Sequence, residues 1–288
     1  MKTSLSHTYP LNASIDFRGF PVRFHEVGAG TPLIMLHNGG ANHFIWERQI
    51  QPFSATHHVF ALDLLGFGES GRPCQPLTLE LFVEMLYTLV QTRKLAAPIL
   101  MGNCIGAAIA LEYAQQHPNR VHGLVLCNLC GGQSMMRYFH PFMFPQQGLH
   151  DDLLYRWMFA PSKWEWVRRK VIDRLYGKEP LRSSAMYQEL LQGITHPIQP
   201  QSRMMLIKGL ASFSKFDHYQ QEEAELPAMY LCWGEQNKVL PLHRGEQLRQ
   251  RLNPDEWAVY PDQGHLLMAE APDRFNSEVE TFLTQIDP

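Results

Sequence analysis

The segment Gly102-Asn103-Cys104-Ile105-Gly106 constrains this chain more than any other. It follows the short apolar run Ile99-Leu100-Met101 and precedes the alanine-rich stretch Ala107-Ala108-Ile109-Ala110-Leu111. That pattern reads as a buried strand, a tight turn and a helix, with a cysteine at the apex of the turn. The apex residue must take a positive φ so that its side chain stands exposed at the end of the sheet. The flanking glycines are needed because larger side chains would collide across the bend. A Gly-x-Cys-x-Gly string alone is weak evidence; the strand before it and the helix after it give it weight.

The rest of the chain supplies the sheet that such a turn requires. Residues 13–28 read as a hairpin turning at Arg18-Gly19-Phe20. Apolar runs at 32–36, 58–63, 97–102 and 121–127 have strand length, and residues 79–94 and 105–116 have helical spacing. Short buried strands alternating with amphipathic helices predict an α/β fold: a mostly parallel central sheet with helices on both faces. The alternation stops near residue 131. Residues 131–225 are rich in Met, Phe, Tyr, Trp and Arg, with helical stretches at 151–160, 164–176, 184–193 and 202–213. Strand and helix alternation resumes with a strand at 228–232, a helix at 242–252, a strand at 256–260 and a last helix at 272–285. The expected organisation is a core of residues 1–130 and 226–288, interrupted by a helical cap at 131–225, since a segment that long is not a plain loop.

Composition narrows the function. A net charge of −3 gives no case for nucleic acid or an anionic membrane. The apolar runs are too short to span a membrane, and the first residues lack the apolar core of a secretory signal. Five cysteines cannot all pair with one another, which points to a reducing cytoplasm. Cys127 and Cys130 form a C-x-x-C, but a zinc site needs about four ligands and no second cluster stands nearby. They and Cys232 read as buried strand thiols, Cys74 as incidental, and no metal or cofactor is expected.

Taken in order, five landmarks make the chain resemble the alpha/beta-hydrolase superfamily: His37-Asn38-Gly39-Gly40, the stretch Asp63 to Gly71, the elbow at 102–106, the segment from Gly234, and Gly264-His265. The resemblance covers about residues 20–130 and 226–286, and it places the insertion where that family carries its cap. It implies Cys104 as nucleophile, His265 as base, and an oxyanion hole from the N–H groups of Ile105 and Gly39. Asp63 and Ser70 belong to a loop of the fold and read as structural. The chain departs from the family at the third member. Asparagine stands at position 237, where an aspartate is usual, and the alternative place after the sixth strand falls near Asn128. Asp262 and Glu235 are the nearest substitutes in sequence.

A cysteine nucleophile tolerates this. A thiolate and imidazolium can pre-exist as a pair, and an amide oxygen of Asn237 can accept the ring N–H, as in the convergent Cys-His-Asn proteases. Asn38 reads first as a turn residue with positive φ, and second as a group aimed at substrate. Met135, Phe139, Phe142 and Trp157, with Met136, Tyr138, Met143, Phe144, Met158 and Trp164, suggest an apolar lining. Arg168-Arg169-Lys170 reads as a solvated helix face. The expected activity is acyl transfer through an S-acyl intermediate on Cys104: a thioesterase, esterase or acyltransferase. Its substrate would be an apolar small-molecule acyl thioester or ester, free or carried by coenzyme A or acyl carrier protein. The alternatives are a carbon–carbon lyase or cyclase in which His265 moves protons, and an inactive ligand-binding member.

Overall fold

The computed structural model describes residues 9–138, 164–195 apart from 179 and 181, 199–219, and 225–286. Its centre is an eight-stranded sheet: β1 (Ala13–Phe17), β2 (Phe20–Val27), β3 (Thr31–Leu36), β4 (His57–Leu62), β5 (Ile99–Asn103), β6 (Gly123–Cys127), β7 (Met229–Gly234) and β8 (Glu256–Tyr260). The strand order is β1-β2-β4-β3-β5-β6-β7-β8. β1 and β2 form the antiparallel hairpin, β2 joins β4 antiparallel, and every later pairing is parallel. The hairpin turns through Arg18 and Gly19, both at positive φ.

β5, β6 and β7 are buried along their whole length, as their continuous apolar runs require when helices cover both faces. The described helices are α1 (Glu47–Ser54), α2 (Leu79–Thr92), α3 (Ile105–Gln116), α4 (Gly132–Tyr138), α5 (Glu165–Asp173), α6 (Ala185–Thr195), α7 (Gln199–Gly209), α8 (Leu242–Leu252), α9 (Leu267–Glu270) and α10 (Pro272–Ile286). α1, α4 and α9 have no counterpart in the sequence reading; each is short, and a few residues carry too little periodicity to signal a helix. A tight 3₁₀ run, Leu210–His218, follows α7. Between β6 and β7 the described residues hold helices and no strand. The stretch expected to be helical at 151–160 lies outside the described residues.

Parallel strands all end on one side, and the sheet reverses its winding between β3 and β5. Ligand sites of such sheets lie beyond the strand ends at that reversal. Here the segments leaving β3, β5, β6, β7 and β8 converge there. Gly102 and Gly106 make the convergence possible. A Cβ on Gly102 would sit 2.3 Å from the Gly106 carbonyl carbon, and one on Gly106 would sit 2.2 Å from the Leu36 carbonyl oxygen.

Asp63 and Ser70 do hold the loop after β4. Asp63 accepts the His43 backbone N–H at 2.9 Å, the Glu69 N–H at 2.7 Å, and the His43 ring at 2.7 Å. Ser70 donates to the Asp63 carbonyl and accepts from the Arg23 N–H. Burial opposes the charge on both partners of the pair. Their mutual hydrogen bond and attraction still hold the Asp63 carboxyl below its usual range and His43 above its own.

The lowered carboxyl contributes stability that is complete above its ordinary value of 3.8 and is lost as pH falls through the lower folded value. The raised imidazole contributes below 6.5 and loses that share as pH rises through its folded value. The pair therefore stabilises most between those limits. Asp63→Asn, which leaves His43 without its carboxylate, is expected to cost about 3–5 kcal/mol in urea denaturation near pH 6. A loss below about 1 kcal/mol, the size of an exposed pair, would show that this contact does not hold the loop.

Candidate active site

Cys104 follows the last residue of β5 and is the N-cap of α3, with φ 57° and ψ −110°. Its N–H donates to the Cys127 carbonyl at 2.9 Å, and its carbonyl accepts from Ala108 at 3.1 Å, so strand and helix both hold the bend. The thiol clears the sheet but is not open to water: Cys104 is 1% exposed. The expectation of an exposed apex is corrected by the insertion, because Met135 of α4 lays its thioether 3.6 Å from the Cys104 sulfur.

Burial by itself would push the Cys104 thiol up. Hydrogen bonding from Cys130, the electrostatic and hydrogen-bond pull of the His265 ring, and the Ile105 N–H outweigh it and draw the thiol down to about 5. Cys130 goes the other way. Burial and the neighbouring Cys104 sulfur push it well above the usual thiol range, so Cys130 stays protonated and donates. The sequence reading placed Cys130 among inert strand thiols. It lies three residues past the end of β6 and beside the candidate nucleophile.

His265 is buried in the loop after β8, and its N–H and that of Leu266 both reach the Leu175 carbonyl, at 2.7 and 3.2 Å. Asn237 stands behind the ring, with its amide nitrogen 3.1 Å from His265 Nδ1. This reverses the expected contact. The Asn237 oxygen is occupied by the N–H groups of Val239 and Leu240, each at 2.9 Å, so the nitrogen is the end left for the ring. That nitrogen also donates to Asn128 Oδ1 at 2.9 Å. Asn128 Oδ1 accepts the Gly234 N–H at 3.1 Å, and its nitrogen donates to Asn103 Oδ1 at 3.1 Å and to the His265 carbonyl at 3.2 Å. Asn103 donates to the same carbonyl at 3.2 Å.

No carboxylate among the described residues hydrogen-bonds the ring. Glu235 is exposed, and Asp262 pairs with Lys178 at 2.9 Å. The asparagine chain 103–128–237 was not foreseen as a unit. Its one trace in the sequence was a polar residue, Asn103, closing an otherwise apolar strand.

Ile105 and Gly39 carry the N–H groups expected to meet an oxyanion. Ile105 N–H points at the Cys104 sulfur from the first position of α3. Gly39 lies in the turn after β3, and no described group accepts its N–H. A Cβ on Gly39 would meet Leu206 of α7 at 2.8 Å and Ile105 at 3.7 Å, which places α7 over this turn. His37 fixes the turn from beneath. Burial lowers its pKa to about 4, so the ring is neutral, donating from Nδ1 to the Asn38 carbonyl at 2.7 Å and accepting the Leu64 N–H at Nε2.

Asn38 does not take the positive φ expected of it; Gly40 does, at 83°. A glycine in the same turn adopts that conformation with less strain than any L side chain. Asn38 is buried, with its Oδ1 unpartnered. Of the apolar lining, Met135 touches the sulfur and Met136 is half-buried. Phe139, Phe142 and Trp157, with Met143, Phe144 and Met158, lie outside the described residues. Trp164 is exposed and stacks on Trp166, so it lines nothing here. In the basic run, Arg169 bonds Glu165 and Lys170 lies over the Trp166 ring. Among the described residues there is no cluster of metal-ligating side chains, and no helix is long and apolar enough to cross a membrane.

The arrangement brings the Cys104 thiol, the His265 ring and the Ile105 N–H together beyond the strand ends. Known proteins share its frame. Residues 31–272 match the family model for the alpha/beta hydrolase fold. The 2-hydroxy-6-oxo-2,4-heptadienoate hydrolase of Pseudomonas putida strain F1 is 27% identical, over 93% of this chain and 95% of its own. The 2-hydroxy-6-oxo-6-phenylhexa-2,4-dienoate hydrolase of Comamonas testosteroni is 28% identical, over 94% and 93%. The solved meta-cleavage product hydrolase CumD of Pseudomonas fluorescens IP01 superposes with a TM-score of 0.73 at 21% identity, covering 96% of this chain and 98% of that one. The chain belongs to the alpha/beta hydrolase fold family.

Proposed function

We propose that this protein is an acyl-transfer enzyme, of hydrolase or acyltransferase type, working through an S-acyl intermediate on Cys104. The observation that carries the reading is the strained left-handed cysteine at a helix start, its thiol drawn down to about 5 beside His265. The thiolate adds to an acyl carbonyl carbon, forming a C–S bond as the carbonyl pair moves onto oxygen. The N–H groups of Ile105 and Gly39 meet that oxyanion. Collapse expels the leaving group with its bonding pair, and a second nucleophile then takes the acyl group from sulfur. Asn237 positions His265 at the sulfur.

The inserted helices act as a cap that keeps water from the reaction, with Met135 over the sulfur and Leu206 over Gly39. Asn38 Oδ1 meets a donor on the substrate. Two relatives named for hydroxy-oxo-dienoates, each aligned over more than nine-tenths of both chains, favour an unsaturated substrate. The substrate is a small molecule, free or carried as a thioester by coenzyme A or acyl carrier protein. Cysteines that are all free suit the reducing cytoplasm.

Incubation with an acyl thioester is expected to add one acyl mass to the wild type and none to Cys104→Ala, with turnover falling by roughly 10³-fold or more in the variant. An adduct that persists in Cys104→Ala, or turnover that survives there, rejects the covalent step.

Ionisation of the nucleophile gives a second check. The thiolate forms above about 5 and takes up a proton as pH falls through that value. Its folded value is depressed, so its share of stability is complete above the ordinary thiol range and lost on acidification through about 5. The ultraviolet thiolate absorbance, taken as wild type minus Cys104→Ala, is expected to titrate with a midpoint near 5. A midpoint in the ordinary thiol range, about 8.5, contradicts the site chemistry.

A further inference from the structure

On the acyl-transfer reading above, we propose that Asn237 and Asn128 hold His265 as a hydrogen-bond donor at Nε2, with its proton retained. Cys104 then takes acyl groups from thioesters and passes them to thiols rather than to water.

The orientation of both amides is dictated by backbone groups whose roles cannot change. Two N–H groups, from Val239 and Leu240, point at one end of Asn237, so that end is oxygen. The Gly234 N–H meets one end of Asn128 and the His265 carbonyl meets the other, which fixes oxygen and nitrogen there as well. Asn128 oxygen and His265 Nδ1 therefore both face the Asn237 amine, at 2.9 and 3.1 Å. An amine offers only hydrogens. Nδ1 must present its lone pair, and the single proton of the neutral ring resides on Nε2, the nitrogen left for the Cys104 sulfur. A proton on Nδ1 would set two N–H groups against each other in a buried site. An aspartate at position 237 would impose the opposite tautomer, with the lone pair on Nε2 ready to act as a base.

The chemistry follows from the proton count. The Cys104 sulfur accepts hydrogen bonds from Nε2–H, Cys130 and the Ile105 N–H. Attack on a thioester forms the Cys104 sulfur–carbon bond and breaks the other sulfur–carbon bond. The bonding pair leaves with the departing thiolate, and no proton moves. Transfer to an acceptor thiolate is the same step reversed. An oxygen ester must expel an alkoxide, which needs a proton; the one on Nε2 could be given up only by making the ring an anion. Hydrolysis of the S-acyl enzyme needs a base for water, and Nε2 is already protonated. General-base assistance contributes about 10²–10⁴-fold, so its loss leaves an acyl-enzyme that persists in water.

The test compares S-ethyl thiohexanoate with ethyl hexanoate, following the Cys104 adduct by intact mass, with N-acetylcysteamine as acceptor thiol. In the wild type, the thioester is expected to acylate at least roughly 100-fold faster than the ester, and the thiol to clear the adduct at least roughly 100-fold faster than buffer alone. Asn237→Asp is expected to speed clearance by water about 10-fold or more. Because its carboxylate faces Asn128 Oδ1, that variant's fold is checked by circular dichroism. Nitrogen NMR of the wild-type ring reads the tautomer without any variant or substrate. A proton on Nδ1, or an adduct that water clears as fast as thiol does, overturns the inference. An adduct on no residue overturns the acyl-transfer reading instead, whatever the tautomer.

Discussion

The side chain of Asn128 joins four strand ends. It sits just past β6 at φ 47°, a conformation that asparagine tolerates better than other side chains. Its oxygen takes the backbone N–H that ends β7 and the amine of Asn237 beyond it. Its nitrogen reaches Asn103 at the end of β5 and the backbone of His265 beyond β8. An amide has two donors and two acceptor lone pairs, and all four are used. A carboxylate here would keep the acceptors and lose both donors. A glycine would suit the backbone and lose everything else. The relative placement of Cys104 and the His265 ring depends on this one fully satisfied group.

The asparagine chain also changes the electrostatic character of the site. A buried aspartate behind the imidazole would carry a charge into the interior, tolerated only while its partner is charged or donating. Two amides give the same mechanical support with no net charge and no unsatisfied atom. Among the described residues no carboxylate hydrogen-bonds the His265 ring, which the Asn237 amine meets instead. The contrast with Asp63 and His43 is instructive. That pair uses a buried charge to hold a loop, where no proton needs to move during a reaction.

Much of this was legible in the sequence because it follows from periodicity and sterics. All eight strands, the longer helices that cover them and the glycine-flanked cysteine are local patterns. Positions 237 and 265 stood out by their distance past a strand. The direction of the Asn237 amide was not legible. It depends on Val239 and Leu240 folding back onto their own neighbour, a fact of three dimensions that residue identity does not encode. The role given to Asn38 failed for a similar reason: two candidates for one left-handed position stood two residues apart, and the glycine took it. Burial of the sulfur was hidden because it comes from Met135, thirty-one positions away along the chain.

Asp217, in the 3₁₀ run after α7, binds the first turn of α4. It accepts the N–H groups of Gln133 and Ser134 at 2.7 and 3.0 Å and the Ser134 hydroxyl, and it meets Arg244 of α8 at 3.3 Å. Gly131 lies so close that a Cβ there would come within 2.3 Å of the carboxylate. The backbone that carries Met135 is thus riveted to the core from both sides. What can yield above the sulfur is the thioether, a chain of three rotatable bonds that reshapes itself around whatever presses on it. On the proposed reading, whatever reaches the sulfur past α4 does so by turning the torsions of Met135, while the helix that carries it stays anchored through Asp217.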